Sequence, residues 1–178
     1  MFSLVFSVTR RLFLLLILLL PGCTSSSAPE PLRYSLNFNA YTQVNDSAPL
    51  KLRVLLLKSD ADFMAADFYS LQSHSQQVLG NALLSSEQFF LLPEQLNKRI
   101  TGQRQADARF IGVMAEYKAL NGKKWRLSLP LPAPAKKSLL KFWRRNSNEF
   151  NAEIIADGGG LRIKETGNYQ PGREIDYD

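Results

Sequence analysis

Leu32-Arg33-Tyr34-Ser35-Leu36-Asn37-Phe38-Asn39-Ala40 alternates apolar and polar side chains without a break. A period of two places Leu32, Tyr34, Leu36, Phe38 and Ala40 on one face and leaves Arg33, Ser35, Asn37 and Asn39 on the other, which predicts a strand half covered by a core. Downstream, Thr42 to Pro49 is rich in Asn, Asp, Ser and Pro and reads as a loop. Leu50 to Lys58 then starts by alternating and becomes wholly apolar from Val54 to Leu57, as a strand covered on both faces for part of its length would. Beyond Lys58 the period changes. Met64, Phe68 and Leu71 recur at helical spacing, so a helix is expected over about 62–72, with Asp60 or Asp62 as its N-cap. Strands follow at 88–92, around Ile100, at 108–117 and at 125–129, the last two separated by the turn pair Asn121-Gly122. A second hairpin is expected where 150–156 meets 161–164 across Asp157-Gly158-Gly159-Gly160. Seven or so short strands and one helix predict a mainly β, Ig-like two-sheet sandwich with one added short helix region. No internal repeat is present.

Upstream of this domain the sequence has another character. Arg10 and Arg11 precede an unbroken apolar run from Leu12 to Leu20, followed by Leu20-Pro21-Gly22-Cys23. The run is about nine residues, the length of a signal-peptide core and well short of the roughly 20 that span a bilayer as a helix. Cys23 is the only cysteine, so an internal disulfide is impossible; the thiol is reactive, bridges to another chain or is modified. Its position at the end of the leader, behind Leu20 and Gly22, resembles a bacterial lipobox, in which the cysteine is acylated and becomes the first mature residue. Three acyl chains at about 0.8 kcal/mol per buried methylene hold effectively permanently. Thr24 is not the Asp that, by resemblance to enterobacterial lipoproteins, retains a lipoprotein in the inner membrane, so a periplasm-facing position on the outer membrane is expected. The resulting organisation is a signal peptide at 1–22, a flexible tether at 23–31, a sandwich domain at 32–166 and a C-terminal tail at 167–178.

Composition narrows the function. Of eleven Phe, the eight beyond the leader can, with six Tyr and two Trp, build one modest core, and the formal charge of +6 falls to about +4 without the leader arginines, which does not imply nucleic-acid binding. His74 is the only histidine and the only thiol is at the lipobox, so a Cys-His pair is unavailable and a Ser-His pair rests on His74 alone. Too few ligands exist for a zinc site. Asp60, Asp62 and Asp67 lack the glycine and the final Glu of a calcium loop and read as helix-start charges. The glycines at 158–160 precede no helix that could hold phosphate and read as a turn. No catalytic site, metal or cofactor is therefore expected beyond lipid on Cys23. The segment Lys136 to Arg145 interleaves cations with Leu139, Leu140, Phe142 and Trp143. It is either a solvated loop covering the sandwich end, a contact with an anionic bilayer or a platform for a sugar or base.

Several of these pieces occur in an order that resembles the TssJ family, the outer-membrane lipoprotein of the type VI secretion system. They are the lipobox, Asn45-Asp46 with Pro49, the strand Lys51 to Leu57, Phe63, the stretch Ala66-Asp67-Phe68-Tyr69-Ser70-Leu71, Leu79-Gly80, Glu87, Leu92-Pro93, Ala108 to Val113 and Trp125-Arg126. The order holds over most of residues 40–130. The resemblance implies a transthyretin-like sandwich with an added helix. It also implies a role in which the loop between the first two strands, Gln43, Val44, Asn45, Asp46, Ser47, Ala48 and Pro49, holds the periplasmic domain of TssM, and through it TssL indirectly, to the outer membrane. The alternative is a periplasmic lipoprotein that binds a small ligand or cell-wall glycan through Trp143 and its basic neighbours.

Overall fold

The computed structural model describes residues 31–41, 43–132 and 149–167. Cys23, the tether up to Glu30 and the Lys136 to Arg145 segment lie outside them. Among the described residues, eight strands form two four-stranded sheets. In one, β1 (Arg33–Ala40) lies between β4 (Asn97–Gln103) and β7 (Glu149–Asp157), and β8 (Gly160–Gly167) pairs with β7 at the edge. In the other, β2 (Leu50–Leu57) lies between β3 (Leu83–Leu91) and β5 (Phe110–Glu116), with β6 (Arg126–Pro130) beyond β5. All pairings are antiparallel except β1 with β7, which run parallel from Arg33↔Glu149 to Ala40↔Ala156.

The apolar face of β1 enters the core: Tyr34, Leu36 and Phe38 are buried between the sheets with Phe150, Ala152 and Ile154 of β7 and Leu50, Leu52, Val54 and Leu56 of β2. The wholly apolar end of β2 has the expected cause. Leu55 and Leu57 point away from that core into a second cluster with Phe63, Phe68, Leu71, Leu79 and Met114, made by helices on the outer face of the sheet. Gly112 on β5 admits Phe63 there, since a Cβ would lie 3.1 Å from the Phe63 Cε1 atom and 3.0 Å from Leu57 Cδ1.

The helical region differs from the single helix expected at 62–72. It is a short α1 (Ala61–Ala65) and a separate α2 (Phe68–Leu79). Asp67 makes the break: Ala66 and Asp67 are extended, and the Asp67 carboxylate accepts from Ser70 N at 2.9 Å and Ser70 Oγ at 2.6 Å, a side-chain N-cap that starts a new helix. Asp60 precedes α1 without a capping bond and instead accepts from Ser128 Oγ. Because the period is broken, Phe63 is the buried residue of α1 and Met64 is exposed.

Within α2 the backbone kinks at exposed His74 (φ −135°, ψ 33°). Buried Arg53 donates to the Leu71 and Gln72 carbonyls, to Ser75 Oγ and, at 3.0 Å, to Glu116. Gln72 and Lys51 also contact Glu116, so one carboxylate gathers three donors between sheet and helix. The third strand begins at Leu83, earlier than the expected 88, because Ser85 to Gln88 form an exposed edge with no apolar alternation.

Connectivity fixes two poles. The connections 41–49, 92–96, 117–125 and 158–159 lie at one. Leu32, where the chain enters the sandwich, lies at the other, where Arg104 N donates to Leu32 O at 2.7 Å and its guanidinium to Pro132 O at 2.7 Å.

Candidate protein-interaction site

The 41–49 connection is folded from inside. Val44 is buried and closes the end of the core; its N–H donates to Tyr41 O. Asn45 is only 5% exposed, with its Nδ2 donating to Pro49 O at 2.9 Å and its Oδ1 accepting from Lys118 N at 2.8 Å. A carbonyl on one side and an N–H on the other fix the orientation of this amide. Ala48 N closes a turn on Asn45 O at 2.9 Å, and both central residues, Asp46 (φ 51°) and Ser47 (φ 59°), lie in the left-handed region, the pattern of a type I′ turn. Asp tolerates this conformation; Ser does so at a cost of about 1 kcal/mol, which the surrounding bonds offset. The loop therefore presents Gln43, Asp46, Ser47 and Pro49 to solvent, half-buries Ala48 and turns Val44 and Asn45 inward.

Two neighbouring connections are bonded to it. From 117–125, Lys123 Nζ donates to Val44 O at 3.3 Å and lies 4.8 Å from the centre of the Tyr117 ring. Burial pushes the Tyr117 phenol up, and its hydroxyl has no hydrogen-bond partner among the described residues. The Lys118 ammonium lies 3.9 Å from Asp46, but both groups are about two-thirds exposed, so this pair contributes little. Lys124 N and O bond to Gly159 O and Leu161 N, which joins the second connection to the β7–β8 turn. Gly160 must be glycine: φ is +109°, and a Cβ would meet the Lys124 backbone. In that turn the Asp157 carboxylate accepts from Arg162 Nε at 2.7 Å and from Gly159 N at 2.9 Å, and the Arg162 bond holds its pKa below the usual carboxylate range. Tyr41, at the root of the loop, is 58% exposed.

Sequence reading identified the loop but not which of its residues face inward, and it missed Tyr41, Lys118, Lys123 and the Asp157–Arg162 pair. Asn121-Gly122 signalled the second connection, whose Gly122 has φ +73°. His74 stands exposed on α2, the helix that packs on the outer face of the sheet holding β2 and β5. Among the described residues no group of three or more His, Cys, Asp or Glu side chains comes together as metal ligands would.

The chain matches the type VI secretion lipoprotein family (VasD, EvfM, TssJ) over residues 32–148. Its structure is similar to that of Serratia marcescens Lip, a membrane-bound component of the type VI secretion system, at 54% identity and a TM-score of 0.69, covering 76% of this chain and 98% of that one. It is also similar to the lipoprotein TssJ1 of Pseudomonas aeruginosa, at 26% identity and a TM-score of 0.65, over 79% and 99% of the two chains. A chain in a structure of the TssM C-terminal domain (869–1107) from EAEC shares the fold at 18% identity and a TM-score of 0.53, over 75% and 98%. No curated protein matches.

Proposed function

The chain belongs to the type VI secretion lipoprotein family, and from that premise we propose that it anchors the membrane complex, holding the periplasmic C-terminal domain of TssM by the Gln43–Pro49 loop and the outer membrane by acyl chains on Cys23. The role is one of binding, without catalysis, and reaches TssL only through TssM. The observation that carries this reading is the loop's build and position: a left-handed turn tip pinned by buried Asn45, at the pole opposite Leu32, where the tether joins. A pre-formed loop loses little freedom on binding, so most of its contact energy is available for affinity. Polarity also suits the task, because a partner and a bilayer held at opposite ends do not compete for the same surface.

Because Val44 and Asn45 are structural, deleting the whole loop would disturb the fold, and the tip alone is the right target. Asp46→Gly with Ser47→Gly removes both tip side chains at positions whose left-handed backbone glycine adopts without strain, and should abolish capture of the TssM periplasmic domain while circular dichroism and melting temperature stay as in wild type. Capture at wild-type level would overturn the loop assignment. Separately, Cys23→Ser should move the protein from the outer-membrane fraction to the soluble periplasm and eliminate palmitate labelling; continued labelling would defeat the anchor assignment.

A further inference from the structure

A stable protein interface draws on roughly 20–30 residues a side, with most energy in a few central aromatic or Arg anchors. The 43–49 loop offers only Gln43, Asp46, Ser47 and Pro49 as fully exposed residues, none of them aromatic. A surface confined to that loop would have no anchor of this kind, yet the structure places one beside it. Tyr41 is 58% exposed, and its ring stands where β1 leaves the sheet, at the loop's own root. Its backbone is tied on both sides, the N–H donating to Ala156 O at 3.3 Å and the carbonyl accepting from Val44 N at 3.0 Å, so the base of the side chain is fixed. An aromatic ring on a fixed backbone and left open to solvent has little freedom to lose on contact.

The charges on these three connections are uneven as well. Asp46 and Asp157 already have Lys118 and Arg162 as partners, whereas Lys124 is exposed and has no acidic partner among the described residues. Its backbone is fixed by the bonds to Gly159 and Leu161, so the ammonium projects from a rigid base.

We infer that the docking surface is composite: Tyr41 is its aromatic anchor, the β5–β6 connection and the β7–β8 turn are part of it, and the partner surface it fits is an apolar pocket rimmed by acidic side chains. This rests on the reading that the 43–49 loop binds TssM and adds residues from outside that loop. Tyr41 would fill the pocket while Lys124 faces the acidic rim and speeds encounter.

The test uses the full-length acylated protein in detergent and the TssM periplasmic domain of the same organism, with association and dissociation rates measured at low and high salt. Tyr41→Ala should weaken binding roughly 30-fold, mainly through faster dissociation, as loss of an anchor does. Lys124→Glu should slow association severalfold and flatten its dependence on salt. Both residues are exposed, and an unchanged melting temperature verifies the fold of each variant. If the Asp46→Gly, Ser47→Gly variant loses binding while Tyr41→Ala and Lys124→Glu each stay within twofold of wild type, the composite surface is wrong and the loop assignment survives. If the tip variant itself binds normally, the loop assignment fails and this inference falls with it.

Discussion

Asn45→Ala is the most informative single change at this pole. The substitution removes a donor from Pro49 O (2.9 Å) and an acceptor from Lys118 N (2.8 Å) at a residue 5% exposed. Each group left unpaired costs about 1–3 kcal/mol, and partial access of water beside the exposed neighbours Asp46 and Pro49 places the total near the lower half of that sum, about 2–3 kcal/mol. At roughly 2–4 °C per kcal/mol for a domain of this size, the melting temperature should fall by about 5–10 °C. Urea titration should show a lower midpoint with an unchanged slope, because the loop is small beside the surface exposed on unfolding. Asn45→Asp retains the acceptor for Lys118 N but places a carboxylate against Pro49 O, so at neutral pH it should lie between wild type and alanine. If the loop holds TssM as proposed, that binding should weaken in the same order, because a loosened turn must be re-ordered on contact. The reasoning is refuted if Asn45→Ala loses less than about 0.5 kcal/mol, the range of an ordinary surface change, or if Asp is no better than Ala.

Arg53→Ala strips Glu116 of its buried guanidinium and leaves the Leu71 and Gln72 carbonyls without that donor; a loss of about 3–5 kcal/mol in urea titration is expected, and one below about 1 would mean that Lys51 and Gln72 suffice. Tyr117→Phe removes a buried hydroxyl with no partner among the described residues, so stability should hold or rise by up to about 1 kcal/mol; a clear drop in the melting temperature would reveal a bond there. Hydrogen bonds from Ser70 lower the Asp67 pKa, so its stabilisation is present above the unfolded-state value and is lost as pH falls through the lower folded-state value. Asp67→Asn should therefore make the decline of stability below about pH 4 shallower, and an identical decline in both proteins would count against the cap.

Strands with one face in the core were legible because burial imposes a period of two. That holds for β1, and β2 showed its second covered face as an uninterrupted apolar run. Ser85 to Gln88 carried no such signal, since an exposed edge strand is held by backbone bonds that any side chain permits. The helix was misread because Met64, Phe68 and Leu71 keep helical spacing across a break made by Asp67, which competes with the helix for the Ser70 N–H. At the candidate site the turn-forming residues marked a loop, but the inward placement of Asn45 depends on Lys118, 73 positions away. Nor could local pattern announce the parallel partnership of β1 with β7, or the bond from Tyr41 N to Ala156 O beyond it.

Under the proposed role, in which the molecule is held between bilayer and partner, the placement of β1 has a consequence. If tension enters at Leu32 and leaves at the 41–49 loop, the stretch it crosses is the eight residues of β1, covalently continuous and already extended at about 3.3 Å per residue. Such a segment has almost no slack to yield. Its neighbours β4 and β7 grip it along both sides, through bonds that sliding would have to break together in shear and not one after another. The rest of the sandwich then acts as a sleeve around a taut cord, bypassed by the force it helps to withstand.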